Sequence, residues 1–377
     1  MGPLSGVRIV EIASLAPAPF GVMLLADLGA EVLRVERLGS SPGFAAPPGP
    51  LDRGRRSVRV DLKNGEGAAV VHRLASEADV FVEGFRPGVA ERLGIGPKEL
   101  LAANPRLVYG RMTGWGQEGP LAQRAGHDIN YVSIAGALEP IGRAGERPHA
   151  ALNLLGDFAG GGSFLALGIL AALYERERSG KGQVIDAAMV DGASILMSFV
   201  HGMHEAGMWN GPRGTNILDG GASFYDTYET SDGRFVAVGA IEPQFYALLL
   251  ERLGIDAADL GPQLEAAGWP KAKRRFAAAF KAKSRDQWAE IFADSDACVT
   301  PVLSPWEAHH HAHSATRNAF LDVGGLMQPA PAPRFSRSRP SDPLPMDAGG
   351  RNVGATLMAW GLDRDEISRL QSGGVID

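Results

Sequence analysis

The run Thr113-Gly-Trp-Gly-Gln-Glu-Gly-Pro120 is followed by Gly126-His127-Asp128 and, further along, by Gly156-Asp157-Phe158. His127 and Asp157 each stand just after a glycine, at the start of a segment that reads as a helix. A neutral imidazole and a carboxylic acid are the natural pair for taking a proton from one face of a carbon and returning it on the other. Each residue also has a plain structural reading, His127 as an ordinary structural histidine and Asp157 as a helix N-cap. Asp128 adds a second carboxylate, and its backbone N–H at a helix N-terminus suits an oxyanion.

The elements that must hold these groups follow from the surrounding pattern. Residues 7–115 alternate β-rich runs (7–12, 31–35, 58–62, 80–83 and 107–111) with helical ones (20–28, 66–75, 89–93 and 97–103). Such alternation predicts an α/β fold, a mainly parallel sheet with helices on both faces, whose ligands gather at the carboxyl ends of the strands. After Asp157 a long apolar helix ends at Ser179-Gly180-Lys181-Gly182, a C-cap and turn signal. A further strand over 183–187 and a connecting helix over 193–208 come next. The Gly-, Asn- and Pro-rich stretch 211–221 reads as a domain boundary. Thr230-Ser-Asp-Gly233 marks a hairpin inside a smaller α+β unit that ends with a strand over 298–303. The tail, with a final helix near 357–370, returns to the first domain. The expected division is a large domain over 1–190 completed by 325–377, a linker over 191–222, a small domain over 223–305 and a second linker over 306–324.

Several functions are disfavoured by composition. A net charge of -6 leaves no domain-wide positive field for nucleic acid. The single cysteine, Cys298, excludes an internal disulfide and a cysteine metal cage, and between Ala297 and Val299 it reads as a buried strand thiol. No signal peptide or peroxisomal address is visible, and the apolar stretch 164–174 is too short to span a bilayer. These points predict a soluble cytoplasmic protein with no membrane partner.

Other motifs compete with the pair. The helix-then-strand run up to Glu36 resembles half a dinucleotide unit, but the turn Ala13-Ser-Leu-Ala-Pro-Ala-Pro-Phe-Gly21 lacks the glycine fingerprint and puts prolines where N–H groups would meet a pyrophosphate. Ser179-Gly-Lys-Gly-Gln183 is no phosphate-binding loop. His309, His310, His311 and His313 lack metal-binding spacing and read as a solvated helix end, so no metal site is expected. Arg34, Arg37, Arg53, Arg55, Arg56, Arg59, Lys63, Arg86 and Arg92 cluster at the ends of the early strands. Any one could be a surface cation, but together they suit a polyanion such as coenzyme A. The long loop 39–56 is fit to fold over such an extended molecule. Met189, Met197, Met203 and Met208 could form a soft acyl-binding surface, although methionines at this spacing are more often core.

At these residues the chain resembles a known family. Gly2-Pro-Leu-Ser-Gly-Val-Arg-Ile-Val-Glu11, Ala26-Asp-Leu-Gly-Ala-Glu-Val-Leu-Arg-Val-Glu36, Val60-Asp-Leu-Lys63 and Glu83-Gly-Phe-Arg-Pro-Gly88 are similar to the class III CoA-transferases. Gly126-His-Asp-Ile-Asn-Tyr131 with Gly156-Asp157 is similar to the α-methylacyl-CoA racemase branch. The transferases share the aspartate, as an acyl-accepting nucleophile, but not the histidine, which makes His127 the discriminating residue.

The resemblance implies a Rossmann-like large domain, a small domain and an interlocked homodimer with the site between subunits. It implies CoA contacts at Arg37, Val60, Asp61, Leu62, Lys63, Gly84, Phe85, Arg86 and Arg92, and at Gly126, Asp128, Ile129, Asn130 and Tyr131. It places Glu242 as a glutamate supporting the histidine, where the residues alone suggest a helix N-terminal charge. The implied reaction is epimerisation at C2 of a 2-methyl-branched acyl-CoA by His127 and Asp157, with the enolate oxygen held by the Asp128 N–H and no metal or organic cofactor. The alternative is CoA transfer through Asp157. A non-catalytic acyl-CoA-binding protein is a third reading.

Overall fold

The computed structural model describes residues 1–39, 49–347 and 353–377, so residues 40–48 of the expected covering loop lie outside the described residues. The chain divides into two compact units. One comprises Met1–Ala135, Leu152–Leu196 and Asn318–Asp377; the other comprises Gly136–Ala151 and Met197–Arg317.

The first unit is built on six strands: β1 (Arg8–Ile12), β2 (Glu31–Arg37), β3 (Arg55–Val60), β4 (Val80–Glu83), β5 (Val108–Thr113) and β6 (Val184–Ala188). They pair in parallel in the order β3-β2-β1-β4-β5-β6. The central runs are apolar almost without interruption, because both faces are covered: every residue of β4 and β5 is buried. Helices α1 (Pro17–Asp27), α2 (Gly65–Ser76), α3 (Val89–Arg92), α4 (Pro97–Ala103) and α5 (Asp128–Ile134) follow in order. A π-helical segment, Leu154–Gly162, then runs into α6 (Ser163–Ser179), and α7 (Met189–Leu196) follows β6. One apolar cluster joins Val10, Leu33, Val58 and Phe81 to Leu357, Trp360 and Leu370 of the tail. The other joins Ile9, Val80 and Val108 to Val22 and Leu25 of α1 and Leu165 and Ile169 of α6.

Glycines let the π-helical segment sit this deep. A Cβ on Gly162 would come within 2.4 Å of the Pro17 carbonyl oxygen, and one on Gly160 within 2.6 Å of the Ala193 nitrogen. The backbone therefore packs directly on α1 and α7. Together with α6 this makes a 26-residue helix, Leu154–Ser179, which by length and composition alone is long and apolar enough to cross a membrane. The sequence expectation missed it because only 164–174 was counted. Here Leu165, Ala166, Ile169, Ala172 and Leu173 of that helix are buried in the core.

The second unit holds α8 (Ser198–Glu205), strands β7 (Tyr225–Glu229), β8 (Phe235–Gly239) and β9 (Val299–Pro301), and helices α9 (Pro243–Leu253), α10 (Trp269–Phe280), α11 (Arg285–Phe292) and α12 (Ala312–Thr316). Its three-stranded antiparallel sheet packs an aromatic core of Phe224, Tyr228, Phe276, Phe280 and Trp288. The hairpin β10 (Phe320–Val323) and β11 (Leu326–Pro329), then α13 (Val353–Ala359) and α14 (Arg364–Ser372), complete the first unit.

Several boundaries differ from expectation. The strand expected over 58–62 is Arg55–Val60, because Asp61 already begins the turn that Asn64 caps into α2. The connecting helix expected over 193–208 is two helices, α7 and α8, and the units divide between them rather than at 211–221. Residues 197–222 therefore belong to the second unit instead of a linker, and so does the excursion Gly136–Ala151, which no sequence signal marked. The final helix is broken by Gly361 at φ 86°. Cys298 is not a buried strand thiol: it precedes β9 at φ 52° and is exposed. His311 accepts from the His313 N–H at the start of α12, in keeping with a helix end.

Candidate active site

Between β1 and β4 the sheet changes direction of winding, since β2 and β3 lie to one side and β5 and β6 to the other. A crevice opens at the carboxyl ends of two strands at such a point. Here those ends are Ala13 and Ser14 after β1, and Gly84, Phe85 and Arg86 after β4. Two clefts meet there, with Ala13 and Phe85 lining both.

The outer cleft, of about 760 Å³, is lined by Arg34, Arg37, Arg59, Val60, Asp61, Leu62 and Lys63 with Glu36 and Asp52. Arg34 is held by Asp52, and Arg59 lies 3.4 Å from Asp377. Arg37 and Lys63 have no ion-pair partner among the described residues. Arg53, Arg55, Arg56, Arg86 and Arg92 of the sequence cluster do not line this cleft, and the first two are buried. Arg55 is fully buried with Nε 2.5 Å from Glu11, and Arg53 is buried on Asp27 and Gln328. Strand alternation explains this: Arg55 points inward and Arg56 outward.

The inner pocket, of about 490 Å³, gathers Gly84, Phe85, Arg86, Gly126, His127, Tyr131, Asp157 and Met189. His127 is the N-cap of α5: its N–H donates to Asn130 Oδ1 at 3.1 Å and its carbonyl accepts from the Asn130 and Tyr131 N–H groups. The Tyr131 hydroxyl donates to the Gly126 carbonyl, and Trp115 meets the Tyr131 ring edge-on at 4.8 Å. A side chain at 126 would bring its Cβ within 2.7 Å of the Tyr131 ring, so glycine is required there. These contacts fix the backbone under the imidazole, which is left exposed.

Asp157 is not an N-cap. It lies in the first turn of the π-helical segment, half-buried, and its Oδ2 accepts from Asn153 Nδ2 at 3.0 Å. The cap is Asp128, whose Oδ2 accepts from the Gly156 N–H at 2.6 Å and the Asp157 N–H at 2.8 Å. Burial, opposed by the Asn153 hydrogen bond, raises the Asp157 carboxyl above the ordinary carboxylate range, and the Asp128 charge pushes it further the same way. Asp128 is also the first residue of α5, where a backbone N–H has no acceptor within its own helix.

Arg92 and Ile129 line neither cleft; Arg92 is exposed on α3, and Ile129 is exposed on α5. Asn130 spends its side-chain oxygen on His127. Glu242 is the exposed N-cap of α9, in the second unit. Of the four methionines singled out in the sequence, Met189 lines the pocket, beside Met112, which was not singled out; Met197, Met203 and Met208 belong to the second unit.

Sequence reasoning missed Asn153, Ser14 and Trp115. Asn153 stands one helical turn before Asp157, a spacing that brings side chains together. The Ser14 hydroxyl and the Trp115 indole N–H are buried without a hydrogen-bond partner among the described residues, and both residues line the inner pocket. Only a three-dimensional view reveals them.

Known proteins place this arrangement. The chain is 49% identical to the alpha-methylacyl-CoA racemase of Mus musculus over 377 residues, covering 99% of this chain and 97% of the relative. It is 47% identical to the Homo sapiens protein of the same name over 376 residues, again covering 99% and 97%. A crystal structure of a CaiB/BaiF family protein from Brucella suis shares the fold with a TM-score of 0.79 at 26% identity, over 94% of this chain and 99% of that one. The model for CoA-transferase family III matches residues 4–346, and with the sheet order and the basic crevice described above it makes this chain a member of that family.

Proposed function

We propose that the chain epimerises C2 of 2-methyl-branched acyl-CoA thioesters by 1,1-proton transfer. One observation carries the reading: an imidazole and a carboxyl whose proton affinity is raised line one pocket, and that pocket shares Ala13 and Phe85 with a cleft whose Arg37 and Lys63 have no ion-pair partner among the described residues. Racemases at 47% and 49% identity over nearly the whole chain support it.

The CoA phosphates suit Arg37 and Lys63, and the pantetheine arm would pass Ala13 and Phe85 into the inner pocket. The thioester carbonyl acidifies the C2 hydrogen. The His127 lone pair takes that proton, and the C–H electron pair moves onto the carbonyl oxygen as an enolate. The Asp128 N–H donates to the enolate oxygen. When the enolate collapses, C2 takes the carboxyl proton of Asp157 on the opposite face, leaving a carboxylate and an imidazolium. The reverse reaction starts from that state. No metal or organic cofactor enters these steps, and a cytoplasmic setting is proposed with them.

The proposal includes a homodimer in which Glu242 of one subunit orients His127 of the other. Co-expressed Glu242→Gln and His127→Ala chains should form heterodimers with one intact site and recover activity. Activity no greater than that of the two variants alone would refute the arrangement. The test of the reaction itself is chiral analysis of a single 2-methylacyl-CoA epimer incubated with no second substrate. Both epimers should appear. CoA arriving on an added carboxylic acid, without inversion, would favour the transferase reading, in which Asp157 attacks as an ionised nucleophile.

A further inference from the structure

We propose that the Asp128 side chain is a positioning residue for Asp157: it occupies two N–H groups in the first turn of the Asp157 helix, and so leaves Asp157 free to carry a proton. The inference rests on the proposed epimerisation, in which Asp157 must arrive protonated in one direction and ionised in the other. An aspartate in the first turn of a helix ordinarily meets the reverse condition. The N-terminal N–H groups and the helix field hold it as an anion.

The geometry removes that difficulty. Two first-turn N–H groups next to the Asp157 carboxylate, those of Gly156 and Asp157 itself, donate to Asp128 Oδ2, at 2.6 and 2.8 Å. Asp128 is 7% exposed, so water competes little for that oxygen. The Asp128 charge, held at that position, disfavours a second charge on the neighbouring Asp157. Gly156 is what lets the carboxylate in: a Cβ there would lie 2.6 Å from Asp128 Oδ2.

The other groups around the helix do not take over this role. Asn153 donates one hydrogen bond to Asp157, and His127 acts in the same anion-favouring direction. Tyr131 of α5 is neutral, its hydroxyl turned to the Gly126 carbonyl, while Arg86 lines the same pocket. On α1, Asp27 is paired with Arg53; on β5, Arg111 is paired with Glu83; and on α6, Arg176 is paired with Asp79. Asp186 of β6 accepts from the Gln117 N–H, and Asp191 of α7 is exposed. Among the described residues, Asp128 is the one carboxylate that shares the helix start with Asp157.

The test is a pH titration of full-length protein carrying 13C-carboxyl aspartate, with the Asp157 signal assigned by its loss in Asp157→Asn. Asp128→Asn keeps an acceptor oxygen but removes the charge, and should lower the Asp157 midpoint by on the order of one pH unit. Gly156→Ala displaces the Asp128 carboxylate without removing any charge, and should move the midpoint the same way. It serves if Asp128→Asn does not fold. Asn153→Ala removes the bond that favours the anion and should raise the midpoint. In the epimerisation assay, run from the epimer for which Asp157 is the base, the acid limb of the kcat/KM profile should follow these shifts, whereas a merely structural lesion would lower the plateau without moving the limb. An Asp157 midpoint unchanged or raised in the Asp128 or Gly156 variant overturns the inference. An unaltered chain that does not invert the substrate would instead sink the proposed reaction, whatever the titration shows.

Discussion

Two sets of basic residues in the first unit carry the same charge to opposite ends. Arg53 and Arg55, before and at the start of β3, turn inward, where Asp27 and Glu11 hold them with almost no exposure. Arg37 at the end of β2 faces the outer cleft, and Lys63 after β3 does the same. The inward pair also reaches carbonyl groups, Arg55 to Leu51 and Pro19, and Arg53 to Pro329. Their donors are consumed in joining the sheet to α1 and to β11. A guanidinium can bind a ligand only if its donors are not already spent. The difference is one of position along a strand, and it separates charges that build the fold from charges available to a substrate.

Substitution should split the two sets. Arg55→Met leaves Glu11 buried without its partner, and breaking such a pair costs roughly 3–5 kcal/mol. Denaturant unfolding should show a loss of that size, with acyl-CoA affinity little changed in whatever remains folded. Arg37→Ala should leave stability within about 0.5 kcal/mol. Its effect is on KM for any acyl-CoA, up by about two- to fivefold, the size of one exposed charged contact. That increment should shrink as salt is added. An unfolding midpoint unchanged in Arg55→Met, or a KM unchanged in Arg37→Ala, would erase the distinction.

The parallel sheet was legible because its strands are short apolar runs set between amphipathic helices, with Val80–Glu83 and Pro97–Ala103 recovered to the residue. The inward turn of Arg55 was legible in principle from strand alternation. It went unread because the expected strand began at residue 58, three residues after Arg55, and the basic residues were grouped by sequence position rather than by face. Other features depend on contacts between distant segments. Nothing local in Gly126-His-Asp announces that the Asp128 carboxylate will cap a helix beginning at Leu154. The same holds for the excursion Gly136–Ala151, whose membership in the second unit is set by contacts such as Arg143 with Asp226. Cys298 was misplaced because a single apolar neighbour on each side looks like a strand, while its positive φ is set by the turn into β9. His127 and Asp157 were found because each follows a glycine. What was not visible is that Asp157 is a helix's first-turn acid and not its cap.

The central claim is that two bases in one pocket face opposite sides of a single carbon. It is tested most directly by incubating each pure 2-methylacyl-CoA epimer in D2O with the unaltered chain, His127→Ala and Asp157→Ala, and following deuterium at C2 and chirality together. The unaltered chain should produce both epimers carrying deuterium. Each variant should lose inversion by a factor of about a hundred to ten thousand, the usual contribution of one general acid–base group. Each should retain slow exchange without inversion from one epimer only, and the epimer should differ between the two variants. Inversion at close to the unaltered rate in either variant, or exchange confined to the same epimer in both, would contradict the account.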